Sequence, residues 1–476
     1  MKLKPCFRLL TIGILLSTLA LACLEVPAQA IDPEIMWQHT WGGRSFDSGE
    51  DVTTDETHVY MAGMACSFGA EEGLAFVAKL DKKGNLIWDR TWGVSHEYAD
   101  AVVSDGSNVY IAGTTNISYP TKRYDIFLAK FNSNGQLQWD KTWGGNQTES
   151  VGDMATNGTH LFIVGTTYSF GTTGDAFIAA FGADGTLKWD RNFGTDSTDS
   201  AQAVLLTGPY LYVAGHMGSV ADGDAYLAKF DTQGNPKWLR RWRRSMYDEA
   251  WSLATDGVDL YVAGVTNSST TDRDALLAKF NANGDLLWDR TWGGDQSEDA
   301  YGVATYGKYV FITGLTFSFT SPNAAAFVAG FSPDGAPLLD RIWGEGQGAG
   351  AYGINSDGIS LYVTGLTKTF PHPLIGVNAN ITDPDAIIDA PETPIADPAA
   401  TVGEPNVTAG DPAATIDSPT DIEAFILRIG PWIVGGEVIP PNSAALLAPP
   451  IALASLVALF VVATRRLIAK SGNRHV

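Results

Sequence analysis

Six carboxylates fall at one position of a recurring text, five or six residues after a Trp or Phe: Asp47, Glu97, Glu149, Asp199, Asp248 and Glu298, with Ala349 in the seventh copy. Clustered oxygen ligands are what a hard cation needs, so calcium is the cofactor such a ring would take, although no DxDxDG loop is present. The other reading is structural: each carboxylate accepts hydrogen bonds from backbone amides of its own or a neighbouring repeat. A second acidic set, Asp125, Asp175, Asp224 and Asp274, opens one strand in four copies and fits turn chemistry.

Other chemistry is thin. The chain has no GxSxG elbow, no HExxH and no paired-Cys metal spacing, and its seven His are scattered. The Gly-rich text GEGQGAG at residues 344–350 has no helix pattern after it, so it reads as a connection and not a phosphate loop. Trp pairs such as Trp88 and Trp92 lie four apart on a strand and face one way, which suits packing between repeats or, less simply, a carbohydrate platform. They also resemble the tryptophan motifs of quinoprotein dehydrogenases, whose eight-bladed scaffold a seven-copy chain does not match.

The elements that must position these residues recur every 49 to 51 residues, as Trp41, Trp92, Trp143, Phe193, Trp242, Trp292 and Trp343 mark. Each copy holds four short segments rich in β-branched and aromatic residues, bounded by Gly, Asn or Asp. The last two are joined by DKKG, NSNG, GADG, DTQG, NANG or SPDG, whose Gly suits the positive φ of a tight turn. Four strands per copy at this period predict an all-β, seven-bladed β-propeller. The seventh copy lacks an outer strand of its own, and WQHTW at residues 37–41 is expected to supply it, so that the N-terminal strand closes the ring against the last blade.

The texts FLAKF-(x)3-G-(x)3-WDRTWGG and VYVAG resemble the SBBP-type β-propeller repeat family over roughly residues 34 to 430. The resemblance implies a secreted or surface-displayed propeller and attaches no reaction to it.

The ends predict export and anchoring. Residues 1–30 read as a signal peptide, with Lys2, Lys4 and Arg8 before an apolar core and AQA ending at Ala30. A lipoprotein reading at Cys23 is the alternative. Cleavage would remove Cys6 and Cys23, leaving Cys66 alone and no internal disulfide. Residues 31–433 form the expected propeller domain and 434–443 a juxtamembrane linker resembling the tails of archaeal cell-surface proteins. Residues 444–464 are uncharged and long enough for one transmembrane helix, and the basic tail 465–476 places the C-terminus inside. Residues 366–420 interrupt blade seven with an acidic, Pro/Ala/Thr-rich insertion whose composition predicts a disordered, solvated loop.

Net charge is −22, and the exported part is more acidic still, since seven basic residues but only Glu25 among the acids lie outside it. Such a surface disfavours nucleic acid and anionic membranes as partners. Six N-x-S/T sequons, at Asn116, Asn146, Asn157, Asn267, Asn380 and Asn406, agree with exposure. The expectation is a membrane-anchored cell-surface propeller, a non-catalytic binding or structural module contacting envelope proteins or glycans through its variable face. The alternative is an extracellular enzyme, a glycan hydrolase or lyase or a quinoprotein-like oxidoreductase. An enzyme should break the seven-fold pattern with unique polar residues; a scaffold should keep its carboxylates equivalent.

Overall fold

The computed structural model describes residues 35–430, except for short stretches of several connections and those parts of 369–422 that lie outside six short strands; it adds two-residue strands at Ile433–Val434 and Glu437–Val438. The expected signal peptide, the expected transmembrane segment 444–464 and the basic tail lie outside the described residues. No helix among the described residues is long and apolar enough to cross a membrane.

The repeat folds into seven antiparallel sheets. In blade 1 the strands are Asp47–Thr54, His58–Ala65, Leu74–Asp81 and Leu86–Trp92, from inner to outer. The seventh sheet runs Ala349–Ser356, Leu361–Thr367, Glu423–Ile429 and then Ile35–Trp41, which pairs antiparallel with Glu423–Ile429, Trp41 opposite Ala424. Inner strands of successive blades are neighbours, and that of blade 7 lies against that of blade 1. The turn glycines Gly84, Gly135, Gly185, Gly234, Gly284 and Gly335 all have φ between 73° and 87°, the left-handed region the turn texts require.

There is no single core. Seven apolar clusters each lie between two adjacent sheets, such as Trp41, Val52, Phe76, Tyr362 and Ile426 between blades 7 and 1. A strand of a blade has side chains on both faces, so each sheet buries one face on its predecessor and the other on its successor. The Trp closing each outer strand anchors this packing: Trp92 is 1% exposed and stacks on Phe127 of the next blade, ring centres 4.0 Å apart. The other Trp of the pair ties the same boundary, with Trp88 Nε1 donating to the Ser133 carbonyl at 3.0 Å and Trp288 Nε1 to the Pro333 carbonyl at 3.0 Å. The Trp pairs are packing elements.

The insertion is described only at six short strands. Six short strands within it pair antiparallel with the outer strands of six blades in descending order: Ile375–Gly376 on blade 6, Asn380–Thr382 on blade 5 and Ile387–Asp389 on blade 4. Ile395–Ala396, Thr401–Gly403 and Ala409–Gly410 follow on blades 3, 2 and 1. Composition argues against an independent core in this segment, but an edge strand offers unpaired backbone N–H and C=O groups that any extended chain can satisfy.

Candidate functional site

The six repeated carboxylates are wholly buried. Asp47 Oδ2 accepts from the Gly43 amide at 3.0 Å and from the Ser67 hydroxyl, and its Oδ1 accepts from the Ser67 amide at 3.2 Å. It therefore ties the link between outer and inner strands to the link between second and third strands, and both emerge on one face. Glu149 accepts from Gly145 N at 3.1 Å and Thr167 Oγ1 at 3.0 Å; Glu298 accepts from Gly294 N at 2.9 Å and Thr316 Oγ1 at 2.8 Å. Glu97, Asp199 and Asp248 take the Val94, Thr195 and Arg244 amides in the same way. Burial raises the carboxyls of Asp47, Glu149, Asp199 and Glu298, and these hydrogen bonds pull them partly back. The six are not brought together: among the described residues no three His, Cys, Asp or Glu side chains group as metal ligands would.

The second set also serves locally. Asp224 is clasped by Arg241 and Arg243 at 3.1 and 2.8 Å, and Asp175 accepts from the Asn192 amide group at 2.7 Å. Asp125 is pushed up to about 6 by burial and by the neighbouring Glu149.

The place where the seven-fold pattern breaks lies elsewhere. Every inner strand carries a β-bulge at the same point: Glu50, Asp100, Gly152, Gln202, Trp251, Tyr301 and Tyr352 are the extra residues that the pairing with the second strand skips. A bulge re-aims the side chain it carries. All seven residues line one cavity of about 370 Å³ along the propeller axis. Around it run two acids, a glycine, an amide and three aromatic rings. The glycine is forced, since a Cβ at Gly152 would lie 2.2 Å from the Ala201 carbonyl oxygen.

The cavity therefore has two unlike arcs. On the aromatic side Trp251 and Tyr301 stack with centroids 4.8 Å apart and planes at 15°, and Tyr352 meets Tyr301 at 5.4 Å and 73°. On the acidic side, burial and the charge of Glu50 hold the Asp100 carboxyl well above its ordinary range, and burial raises Glu50 as well.

Next in each strand, Asp51 and Asp153 also line the cavity and tie successive inner strands: Asp51 Oδ2 accepts from Val102 N at 2.8 Å and Asp153 Oδ2 from Val204 N at 2.9 Å. Ser252 Oγ does the same for Val303 N at 3.1 Å. Burial pushes Asp51 up to about 7, and burial together with the nearby Asp51 pushes Asp153 up to about 8. Both carboxyls therefore titrate around neutral pH, so this wall of the cavity presents hydroxyl donors as well as acceptors.

Beside the ring, Gln202 Nε2 donates to Glu249 Oε1 at 3.2 Å, and the same oxygen lies 3.0 Å from His216 Nδ1, itself 2.8 Å from Ser200 Oγ. Ser, His and Glu meet here without forming a relay. Both partners share one imidazole nitrogen, whereas a nucleophilic triad uses the two in series. Burial works to raise Glu249, but its bonds to His216 and Tyr247 outweigh it and hold the carboxyl below its usual value.

Neither the bulge ring nor the His216 cluster is apparent when the repeats are aligned for equivalent residues. The signal is present in inverted form, as the least repeated position of a repeated strand: SGEDV, ADAV, VGDM, AQAV, AWSL, AYGV and AYGI.

Comparison with family models finds no match, and comparison with curated proteins finds none. Among solved structures the chain is similar to Sqt1 from Chaetomium thermophilum, with 12% identity and a TM-score of 0.41 over 70% of this chain and 82% of that one. It is also similar to the β-propeller domain of the Trilobed protease from Pyrococcus furiosus, with 12% identity and a TM-score of 0.39 over 71% and 98% of the two chains. For the acylaminoacyl peptidase of Pyrococcus horikoshii the figures are 11% and 0.39, over 72% of this chain and 53% of that one. The assignment of the chain as a seven-bladed β-propeller rests on its own seven sheets.

Proposed function

We propose that the chain is a non-catalytic binding module of the cell surface whose ligand is a glycan held in the axial cavity. The observation that supports this reading is the stacked aromatic arc that faces carboxyls across the bulge ring, while the buried turn carboxylates stay alike as a scaffold's should. Stacked aromatic rings offer a flat apolar face to a sugar, and the carboxyls opposite take and give hydrogen bonds to its hydroxyls. The signal text of residues 1–30 and the apolar stretch 444–464 support export and a membrane anchor with the propeller outside. The register of Ile35–Trp41 on Glu423–Ile429 supports closure of the ring by the two ends of the chain.

The full chain in detergent, titrated with a panel of oligosaccharides and followed by calorimetry, tests the proposal. Saturable binding weakened about tenfold, one stacking or hydrogen-bond contact's worth, by Trp251→Ala or by Glu50→Gln with Asp100→Asn would support it. Binding that ignores these changes, or no binding, moves the ligand to the variable connections. A second reading has its own observation: Glu50 and Asp100 line the cavity from adjacent blades and the charge of Glu50 drives Asp100 further up, and a glycan hydrolase would use Asp100 as the acid and Glu50 as the carboxylate. Release of new reducing ends in the same titration would favour it.

A further inference from the structure

The six strands of the insertion share one register. Ile381 lies opposite Trp292, Ile388 opposite Trp242, Ile395 opposite Phe193, Val402 opposite Trp143 and Ala409 opposite Trp92. Successive members of this series are seven residues apart, and the series extends in sequence to Leu374 before and Ile416 after. Three residues beyond each of Ile381, Ile388, Ile395, Val402, Ala409 and Ile416 stands a proline: Pro384, Pro391, Pro398, Pro405, Pro412 and Pro419. Asp383, Asp397, Glu404 and Asp411 occupy the place just before it. A segment of low-complexity composition is thus a second repeat, seven residues long, whose copies step from one blade to the next.

Seven extended residues reach at most about 25 Å, a span that here carries the chain from one outer strand to the next. In sequence, a proline stands two residues after the end of five of the six short strands, and proline cannot donate to a ladder. Asp383, Asp397, Glu404 and Asp411 give the repeat its negative charge.

We propose that the outer edges of blades 1 to 6 form a strand-acceptor surface for an extended acidic peptide of the heptad form aliphatic, any, acid, proline. Its built-in occupant is this chain's own segment 375–410. Backbone pairing supplies the attraction, and the seven-residue spacing supplies selectivity, since a shorter step leaves one chain unable to engage consecutive blades.

Two experiments test it. In the first, residues 369–421 of the full chain are replaced by a short Gly/Ser connection, and a labelled synthetic peptide of residues 378–412 is added. The expected result is saturable binding to this variant, at least tenfold weaker binding to the unaltered chain, and none by a peptide of the same composition with alternating six- and eight-residue spacing. A folded variant that ignores the peptide, or binds both peptides alike, overturns the proposal.

The second keeps the insertion and does not depend on the replacement folding. Hydrogen exchange is compared in the unaltered chain, a variant lacking Glu392 and Thr393, and one with two residues inserted between them. Shortening the step between Ile388 and Ile395 is expected to speed exchange in the outer strand of blade 3 or 4 at least tenfold, while lengthening it leaves exchange near the original. Equal exchange in all three chains overturns the proposal.

Discussion

Trp143 Nε1 donates to Asp190 Oδ2 at 3.1 Å across the boundary between blades 2 and 3. Trp41 reaches Asp89 at 2.9 Å and Trp92 reaches Asp140 at 3.0 Å in the same way. At the boundary between blades 3 and 4 both partners change at once: Phe193 stands where the indole would be and Leu239 where the carboxylate would be, packed on the same apolar cluster. The chain thus contains its own double mutant. Trp143→Phe or Asp190→Leu alone should cost about 1–3 kcal/mol, because each strands a buried polar group. The double change should cost less than the sum by about 1 kcal/mol, which a denaturant-unfolding cycle measures.

Removal of an anchor ring is a different matter. Trp92→Ala leaves a void against Phe127 and should destabilise by about 3–5 kcal/mol, the range for a buried Trp lost from a core. Trp251→Ala, in the partly open cavity wall, should lower the unfolding midpoint far less while altering ligand binding.

The buried turn carboxylates predict an insensitivity. Glu298 has backbone and hydroxyl donors already in place, so Glu298→Gln should cost about 1 kcal/mol and Glu298→Ala about 2 kcal/mol or more. Thermal unfolding in calcium and in chelator should coincide. A calcium-dependent rise that Glu97→Gln with Glu298→Gln abolishes would make these residues cation ligands.

Stability should fall across the neutral range. Asp51 and Asp153 keep their protons in the folded chain up to about 7 and 8, whereas an unfolded Asp loses its proton near about 4. Between these limits the folded state binds more protons, so raising the pH favours unfolding, and the loss is complete above the folded values. Asp51→Asn with Asp153→Asn keeps an acceptor for Val102 and Val204 and removes the penalty. The melting temperature at pH 8.5 should rise by about 2 °C, with little change at pH 4.

The fold was legible because each blade repeats what a sheet packed on both faces needs: Trp92 and its equivalents, the turn glycines, and Asp47 and its equivalents. The functional candidates were harder to see for the same reason. Glu50, Trp251 and Tyr352 share a position but no chemistry, so a search for recurrence passes over them. His216 and Glu249 are 33 residues apart in sequence and meet only through adjacent blades. The insertion is a different case. Its apolar content is too low for a core, but strand pairing along an existing edge asks only for a free backbone and the right interval, which Ile381, Ile388 and Ile395 keep.

A residue in a β-bulge stands outside the ladder, so replacing it leaves the register of its strand in place. The seven bulges therefore give this architecture a set of variable letters around one opening, limited only where they touch their neighbours, as Gly152 does at Ala201 and Trp251 at Tyr301. Duplication of a blade delivers a new blank letter together with the walls that support it. A new binding preference on such a ring needs only a handful of substitutions, all at places where the stability of the molecule is hardly at stake.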